Sequence, residues 1–508
     1  METVLMVVTT LIVVAFTLII CMYRYLSELY SLLSRLNIRG PKPTWVFGNI
    51  LEFNGKDPLQ VFTDWKNKYG KVCGWFEGFK PCININDPEM AKEILIRKFD
   101  SFSIRSTYRP FQYYPDDLEL TNTYGEQWRK QRAVFNKSFT PGSLNQMLER
   151  VYRTSSDCIN AVMKNIEVNS HEMNLTEYTE VFHIETICRA LLEMDDKALL
   201  QNRDLMLEAA REANRSASAE NELAGLAKTY PGLTPLLRHF DSKNKESHQR
   251  AVKVFEQLLE EKIPLILQAE VNKLKTSVIG HLLTTTVLEI DSSNNMEKRH
   301  LTRDESTAHL CSTTVEAFAT GKALIEFLIY ELAMHTDIQE NVRREIYEIL
   351  GDKENPTYED LQSLQYLDMV INETLRIHPI APGVQRTCSE DCEINGIQFK
   401  KGFIVRIMTC TIYNDPEIYP DPEKFIPERF SAEGRSDRHP FAFLPFGHGP
   451  RICPGYKFTI AEVKIFVMKL LRQFKVDTSS KTEIPLKTAL RPGLCPKNGV
   501  HVKLTSLQ

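Results

Sequence analysis

The run Phe446-Gly447-His448-Gly449-Pro450-Arg451-Ile452-Cys453-Pro454-Gly455 excludes regular secondary structure, because its glycines and prolines favour turns. An apolar-periodic segment, Tyr456 to Phe474, begins directly behind it and predicts a helix. The order of these two features places the Cys453 sulfur on a tight loop at a helix N-terminus. There, free backbone N–H groups and the positive end of the helix dipole favour thiolate over thiol, and a thiolate is a metal ligand. Gly449 and Gly455 permit close backbone approach, Phe446 shields the sulfur and Arg451 offers a planar fork to an anionic group. A lone cysteine is ordinarily a small buried hydrophobe, so this reading rests on the whole pattern and not on the sulfur alone.

At the other end of the chain, Val4 to Tyr23 is a nearly unbroken apolar run, about 20 residues and so the ~30 Å a helix needs to cross hydrocarbon. A cleaved signal peptide would need a basic start and a small-residue exit, and Met1-Glu2-Thr3 and the length of the run do not fit one. Arg24, Arg35, Arg39 and Lys42 follow the run, so the positive-inside rule leaves the rest of the chain in the cytosol. In that orientation the sequon Asn174-Leu175-Thr176 stays unglycosylated. Gly40-Pro41-Lys42-Pro43 breaks the helix and predicts an extended spacer. The expected organisation is a transmembrane signal anchor over 1–24, a basic and proline-rich linker over 25–43, and one catalytic domain over 44–508.

The 508 residues carry a net charge of −4 and no strongly basic block, which gives no general attraction to nucleic acid. The 11 cysteines are scattered without a CxxC pair, as suits a reducing compartment, and Cys388 with Cys392 lacks the second pair a zinc site would need. Val72–Phe76 and Pro81–Ile85 read as a hairpin, with Asp87-Pro88-Glu89 opening a helix after it. Phe102 to Thr123 is an aromatic loop containing Tyr108, Phe111, Tyr113 and Tyr114. Trp128 and Arg132 are spaced to share a helix face, where an indole N–H and a guanidinium suit a carboxylate. Gly142 to Arg299 reads as amphipathic helix, with a break at Leu223–Phe240 and a solvated loop at Ser292-Ser293-Asn294-Asn295. Leu301 to Leu350 reads as one long helix. Pro356 to Asp368 reads as a charged link before a helix on which Glu373 and Arg376 are i, i+3 neighbours. Short strands are expected over Pro379–Thr411. A terminal hairpin is expected between Thr482-Glu483-Ile484-Pro485-Leu486 and Pro496-Lys497-Asn498-Gly499-Val500, Asn-Gly being a favoured turn.

The pattern Phe-x-x-Gly-x-Arg-x-Cys-x-Gly at 446–455 resembles the haem-binding loop of the cytochromes P450, and five of its positions hold at once. The hinge Gly40-Pro41-Lys42-Pro43, Phe47-Gly48-Asn49-Ile50, Pro440-Phe441 to Phe446 and the ending Pro-Lys-Asn-Gly-Val are most similar to thromboxane synthase and the broad-specificity xenobiotic-oxidising animal enzymes. The likeness runs from the anchor to the C-terminus and is weakest across residues 150–300. It implies a mainly α fold with small β-sheets, the cytochrome P450 fold with an N-terminal transmembrane helix, in the endoplasmic reticulum membrane. It implies haem b with Cys453 as axial thiolate, pushing electron density through iron to favour O–O cleavage. It assigns Arg105, Trp128, Arg132 and Arg451 to the haem propionates, and Glu373, Arg376 and Arg429, from Pro427-Glu428-Arg429-Phe430, to a buried bracing network. It also makes Phe102–Thr123 the roof of the substrate pocket and Leu223–Phe240 a membrane-dipping break.

Two positions depart from the family pattern. Phe327-Leu328-Ile329-Tyr330-Glu331-Leu332-Ala333 resembles the end of the helix that crosses the haem. Counting back without a gap, the oxygen-activating segment falls on Glu316-Ala317-Phe318-Ala319-Thr320-Gly321. Thr320 keeps the hydroxyl, but the acid beside it has become Ala319, and that acid helps relay protons to oxygen. Glu316, one turn back on the same side, supplies a carboxylate; a one-turn slip would instead make Glu316 the acid, with Ala317 in place of the threonine. A third reading is a reaction that needs no external protons. Absent the haem loop, Thr313, Thr314 and Thr320 would read as helix hydroxyls bonded back to carbonyls. The second departure is Gly383, where relatives place a propionate-binding arginine; Arg386 follows three residues later.

The function this implies is a haem-thiolate monooxygenase of an apolar small molecule, a lipid, steroid or xenobiotic, fed by a membrane-bound NADPH-cytochrome P450 reductase and cytochrome b5. Thr320 and Glu316 are its catalytic candidates. The alternatives are a peroxide isomerase or dehydratase like thromboxane synthase, and a non-catalytic haem- or lipid-binding protein.

Overall fold

The computed structural model describes residues 2–105, 111, 113–168, 171–216, 222–268, 277–284, 286–290, 296–491 and 493–507. Tyr108, Pro110 and the stretch Ser292–Asn295 lie outside them. The chain forms two compact units: Met1–Ser106 with Thr229–Pro231 and Gly383–Ile412, and the remainder.

The first unit begins with the anchor helix, Glu2–Arg35, whose run from Val4 to Tyr23 is exposed and apolar enough to cross a membrane. The linker expected from residue 25 is instead helical to Arg35. Leu26, Tyr30 and Leu33 recur on one helix face, and Leu26 and Leu33 are buried. The Tyr30 ring packs on Phe76 at 4.9 Å, and its hydroxyl donates to the Gly78 carbonyl. The spacer after it is likewise tied down, since Gly74 donates to the Arg39 carbonyl and Asn49 to that of Lys42. The expected hairpin, Val72–Glu77 with Lys80–Ile85, extends into a four-stranded sheet through Ile404–Ile407 and Val384–Thr387. Its core gathers Val61, Trp65, Cys73, Trp75, Cys82 and Ile404.

The second unit is built on the central helix, Arg303–Met334, which starts at a capping box of Thr302 and Glu305 and buries most of its side chains. The one long helix expected to Leu350 ends here, because His335 leaves the helical backbone region and stacks on Phe425; a second helix, Thr336–Leu350, follows. The helix expected across 142–299 is interrupted by the strand Glu172–Asn174 and the antiparallel pair Thr286–Ile290 and Met296–His300. β-Branched Thr286, Val287 and Ile290 favour that extended backbone. The break at Leu223–Phe240 contains short helical turns, with Leu233, Leu236 and Phe240 exposed. The expected link at 356–368 holds a capped turn, Tyr358–Gln362. The terminal hairpin is Thr488–Arg491 with Gly493–Pro496. Asn498-Gly499 is not its turn but the bend leading to His501–Ser506, which joins Phe474–Thr478 and Glu172–Asn174 in a sheet.

Candidate active site

The cysteine loop is closed by its own backbone. Cys453 N–H donates to the Phe446 carbonyl at 3.0 Å, and Ile452 N–H to Gly449 at 3.0 Å. Gly447 and Gly449 adopt φ of 72° and 77°, a conformation that a side chain would oppose. The cysteine helix, Tyr456–Gln473, starts where the sequence placed it, with Gly455 at its N-cap and against Phe139. Phe446 lies 5.9 Å from the Tyr456 ring. Burial pushes the thiols of Cys73, Cys158, Cys188, Cys388 and Cys410 up to about 12, which keeps them protonated near neutrality. Cys453 is only half-buried.

A second helix, Gly125–Ser138, brings Trp128 and Arg132 to this loop from one face, as their spacing predicts. The buried Arg451 guanidinium stacks on the Trp128 indole at 4.4 Å and donates to the Thr123 carbonyl at 2.6 Å and that of Leu120 at 3.4 Å. Arg132 donates to the Ile452 carbonyl at 2.6 Å and to Asn136 at 2.9 Å. Two guanidinium groups and an indole thus converge beside the sulfur-bearing loop, a donor set suited to carboxylates.

The same segment reaches the central helix. Thr121, between the two carbonyls that hold Arg451, donates its hydroxyl to Glu316 Oε1 at 3.0 Å. Midway along a largely buried helix, Glu316 and Thr320 are exposed and, with the half-buried Thr313 and Ala317, form an open stripe at i, i+3, i+4 and i+7; Val315 beside it is half-buried too. Ala319 is half-buried. Thr320 donates back to the Glu316 carbonyl at 2.8 Å and Thr314 to that of Leu310.

Behind the loop, Glu373 and Arg376 on the helix Gln365–Ile377 form a bidentate pair at 2.7 Å, both with fully buried side chains. Arg376 also donates to the carbonyls of Tyr413, Pro422 and Lys424, and Ile426 N–H donates to Glu373. Arg429 Nε lies 3.3 Å from Glu373 Oε1, an ion pair without hydrogen-bond alignment. The three residues grouped from sequence are therefore together. Arg105 belongs to the first unit, next to the bridge of Ile104 with Thr387, and is half-buried. Arg386, buried in the strand Val384–Thr387, and Gly383 are in that unit too.

Sequence reasoning passed over Thr121, His183 and Glu462. His183 Nε2 is 2.8 Å from the Ala317 carbonyl, and its Nδ1 is 2.8 Å from Glu462 Oε1. Glu462 signalled itself as a carboxylate within the apolar run of the cysteine helix; Thr121 gave no signal, being one hydroxyl in a polar loop.

These features define a haem-thiolate protein, and residues 38–504 match the family model Cytochrome P450, so the chain belongs to the cytochrome P450 family. It is 28% identical to Cytochrome P450 3A9 of Rattus norvegicus over 100% of this chain and 97% of that one. It is 28% identical to Cytochrome P450 3A5 of Homo sapiens over 95% and 94%, and 29% to Cytochrome P450 3A7 of Homo sapiens over 91% and 90%. By that membership it is a monooxygenase whose cofactor is haem b with an axial cysteine thiolate, here Cys453. The half-buried thiol, the convergent cations at Trp128 and the open stripe on the central helix fit such an iron-bearing, doubly anionic ring.

Proposed function

We propose that this protein inserts one oxygen atom from O2 into an apolar small molecule, a lipid, steroid or xenobiotic, with electrons from NADPH through a membrane-bound NADPH-cytochrome P450 reductase and assistance from cytochrome b5. The balanced reaction is RH + O2 + NADPH + H+ → ROH + H2O + NADP+. Haem-thiolate iron, when bound, supplies the oxygen activation. Every other task falls to the chain. Arg451, Arg132 and Trp128 hold the propionates; Phe446, Gly449 and Gly455 shape the loop around the Cys453 sulfur. Glu373, Arg376 and Arg429 brace it from behind.

The observation that carries this reading is the placement of Glu316 and Thr320 one helical turn apart on the open stripe of the central helix. Glu316 stands in for the acid lost at Ala319, and the Thr320 hydroxyl passes its proton toward the reacting oxygen. The anchor helix crosses the endoplasmic reticulum membrane once, with the remaining chain cytosolic, and substrate enters from the bilayer. Substrate-dependent NADPH oxidation in vesicles containing the reductase tests the proposal, and product formed without NADPH would sink it.

Ala319 itself favours a second reading, a thromboxane-synthase-like rearrangement of an O–O bond already present in the substrate. Conversion of a lipid hydroperoxide without reductase separates the two, and retention of the Thr320 hydroxyl favours the first.

A further inference from the structure

We propose that Thr121 is the positioning residue of the proton supply, a hydroxyl that aims the Glu316 carboxylate along the open stripe. This rests on Glu316 being the acid. A glutamate on an open helix face has three side-chain torsions and samples many rotamers, so a carboxylate left to itself spends little time in any one orientation. Here Oε1 accepts from the Thr121 hydroxyl at 3.0 Å, while the Thr320 hydroxyl donates to the backbone carbonyl of the same glutamate at 2.8 Å. The carboxylate is therefore held at its tip by the loop, while the Thr320 hydroxyl is fixed to the backbone of the same residue.

Thr121 can do this only because its own loop is fixed. Its neighbours' carbonyls, Leu120 and Thr123, accept from Arg451. Thr123 donates to Gln131 at 2.6 Å, Gln131 donates to the Leu118 carbonyl at 2.9 Å, and Asn122 donates to the Asp116 carbonyl at 2.8 Å and to Glu119 at 2.8 Å. The segment 118–123 thus spans from the arginine of the cysteine loop to the carboxylate of the central helix. Holding the acid by a threonine in another element replaces what the usual acid, directly next to its threonine, obtains from adjacency along the helix. With one Glu316 oxygen occupied by Thr121, the other is left to take up or release the proton. Misaimed, the two electrons from NADPH leave as peroxide, O2 + NADPH + H+ → H2O2 + NADP+, and no product forms.

The test uses the full-length holoenzyme with reductase, an apolar fluorogenic alkoxycoumarin as probe, and the variants Thr121→Val, Thr121→Ser, Glu316→Gln and the double variant. Thr121→Val is expected to lower product per NADPH about tenfold and raise peroxide in proportion, as for loss of one charge-assisted hydrogen bond. Thr121→Ser restores wild-type coupling, and the double variant is no worse than Glu316→Gln. Iodosylbenzene, which donates an oxygen atom without a proton, supports equal probe oxidation in all four, which a merely structural loss would not allow. Infrared difference spectra give a readout apart from turnover. The carboxylate stretch that disappears in Glu316→Gln shifts in Thr121→Val and returns in Thr121→Ser. If Glu316→Gln changes coupling while Thr121→Val changes neither coupling nor that band, Thr121 does not position the acid. If Glu316→Gln itself leaves coupling intact, the acid assignment fails and Thr121 with it.

Discussion

His183 and Glu462 form a buried ion pair, Nδ1 to Oε1 2.8 Å apart, between the helix Thr176–Thr186 and the cysteine helix. The other imidazole nitrogen meets the carbonyl of Ala317, beside Glu316 on the central helix. One side chain therefore ties the cysteine helix to the central helix. Both groups are buried, so the carboxylate favours the protonated imidazole at short range.

That charge gives the protein a pH dependence. Burial and the charge of Lys322 push the His183 imidazole down from its usual 6.5, but the Glu462 carboxylate, with the Ala317 carbonyl, outweighs them and raises it. A raised imidazole contributes stability that is fully present below the unfolded value and fades as pH climbs through the folded one. Thermal stability of the holoprotein should accordingly fall from neutral to alkaline pH, and Glu462→Gln should flatten that fall. Calorimetry across a pH series measures both slopes; parallel slopes would remove the pair from the account.

Gly321 makes room for the same ring. A Cβ at this position would stand 2.3 Å from both Cε1 and Nε2 of His183. In an open helix interior Gly→Ala gains about 1 kcal/mol. Gly321→Ala should therefore destabilise the natural chain yet stabilise a His183→Ala background, with a coupling on the order of 1–3 kcal/mol in a double-mutant cycle. Denaturation midpoints of the four proteins decide it, and simple additivity would contradict the contact.

The Glu373–Arg376 pair makes a harsher prediction. Both side chains are fully buried and mutually bidentate, so Glu373→Ala leaves a guanidinium uncompensated at a penalty of roughly 3–5 kcal/mol. Haem-loaded protein, read from the reduced carbon-monoxide spectrum against total antigen, should be nearly absent, whereas the exposed neighbour Glu423→Ala should load normally. A normal yield from Glu373→Ala would refute the bracing role.

Much of this was legible from local patterning. The cysteine loop announced itself because glycine, proline and a following apolar period are constraints written in adjacent residues. Trp128 with Arg132, and Glu373 with Arg376, were legible because helical spacing alone puts them on one face. What escaped were contacts between distant segments: Thr121 to Glu316, His183 to Glu462, and the packing of Tyr30 on Phe76 in the part of the expected linker that is helical. The break at His335 escaped for a related reason, since the apolar pattern continues through it and only stacking on Phe425 marks the stop.

The missing acid can be put back. Ala319 is half-buried, directly before Thr320 and three residues after Glu316, so a carboxylate there lies on the adjoining part of the helix surface. If Glu316 performs the proton transfer from one turn away, Glu316→Gln should lower product per NADPH, and adding Ala319→Asp should recover most of the loss through the shorter route to Thr320. The recovery should also vanish when Thr320 is replaced by Val, because the introduced carboxylate then has no hydroxyl through which to pass its proton. Oxygen consumption, peroxide and product are measured together on each variant in reductase-containing vesicles. If Ala319→Asp changes none of them in either background, proton supply does not limit turnover, and Glu316 is not the residue that compensates for the alanine.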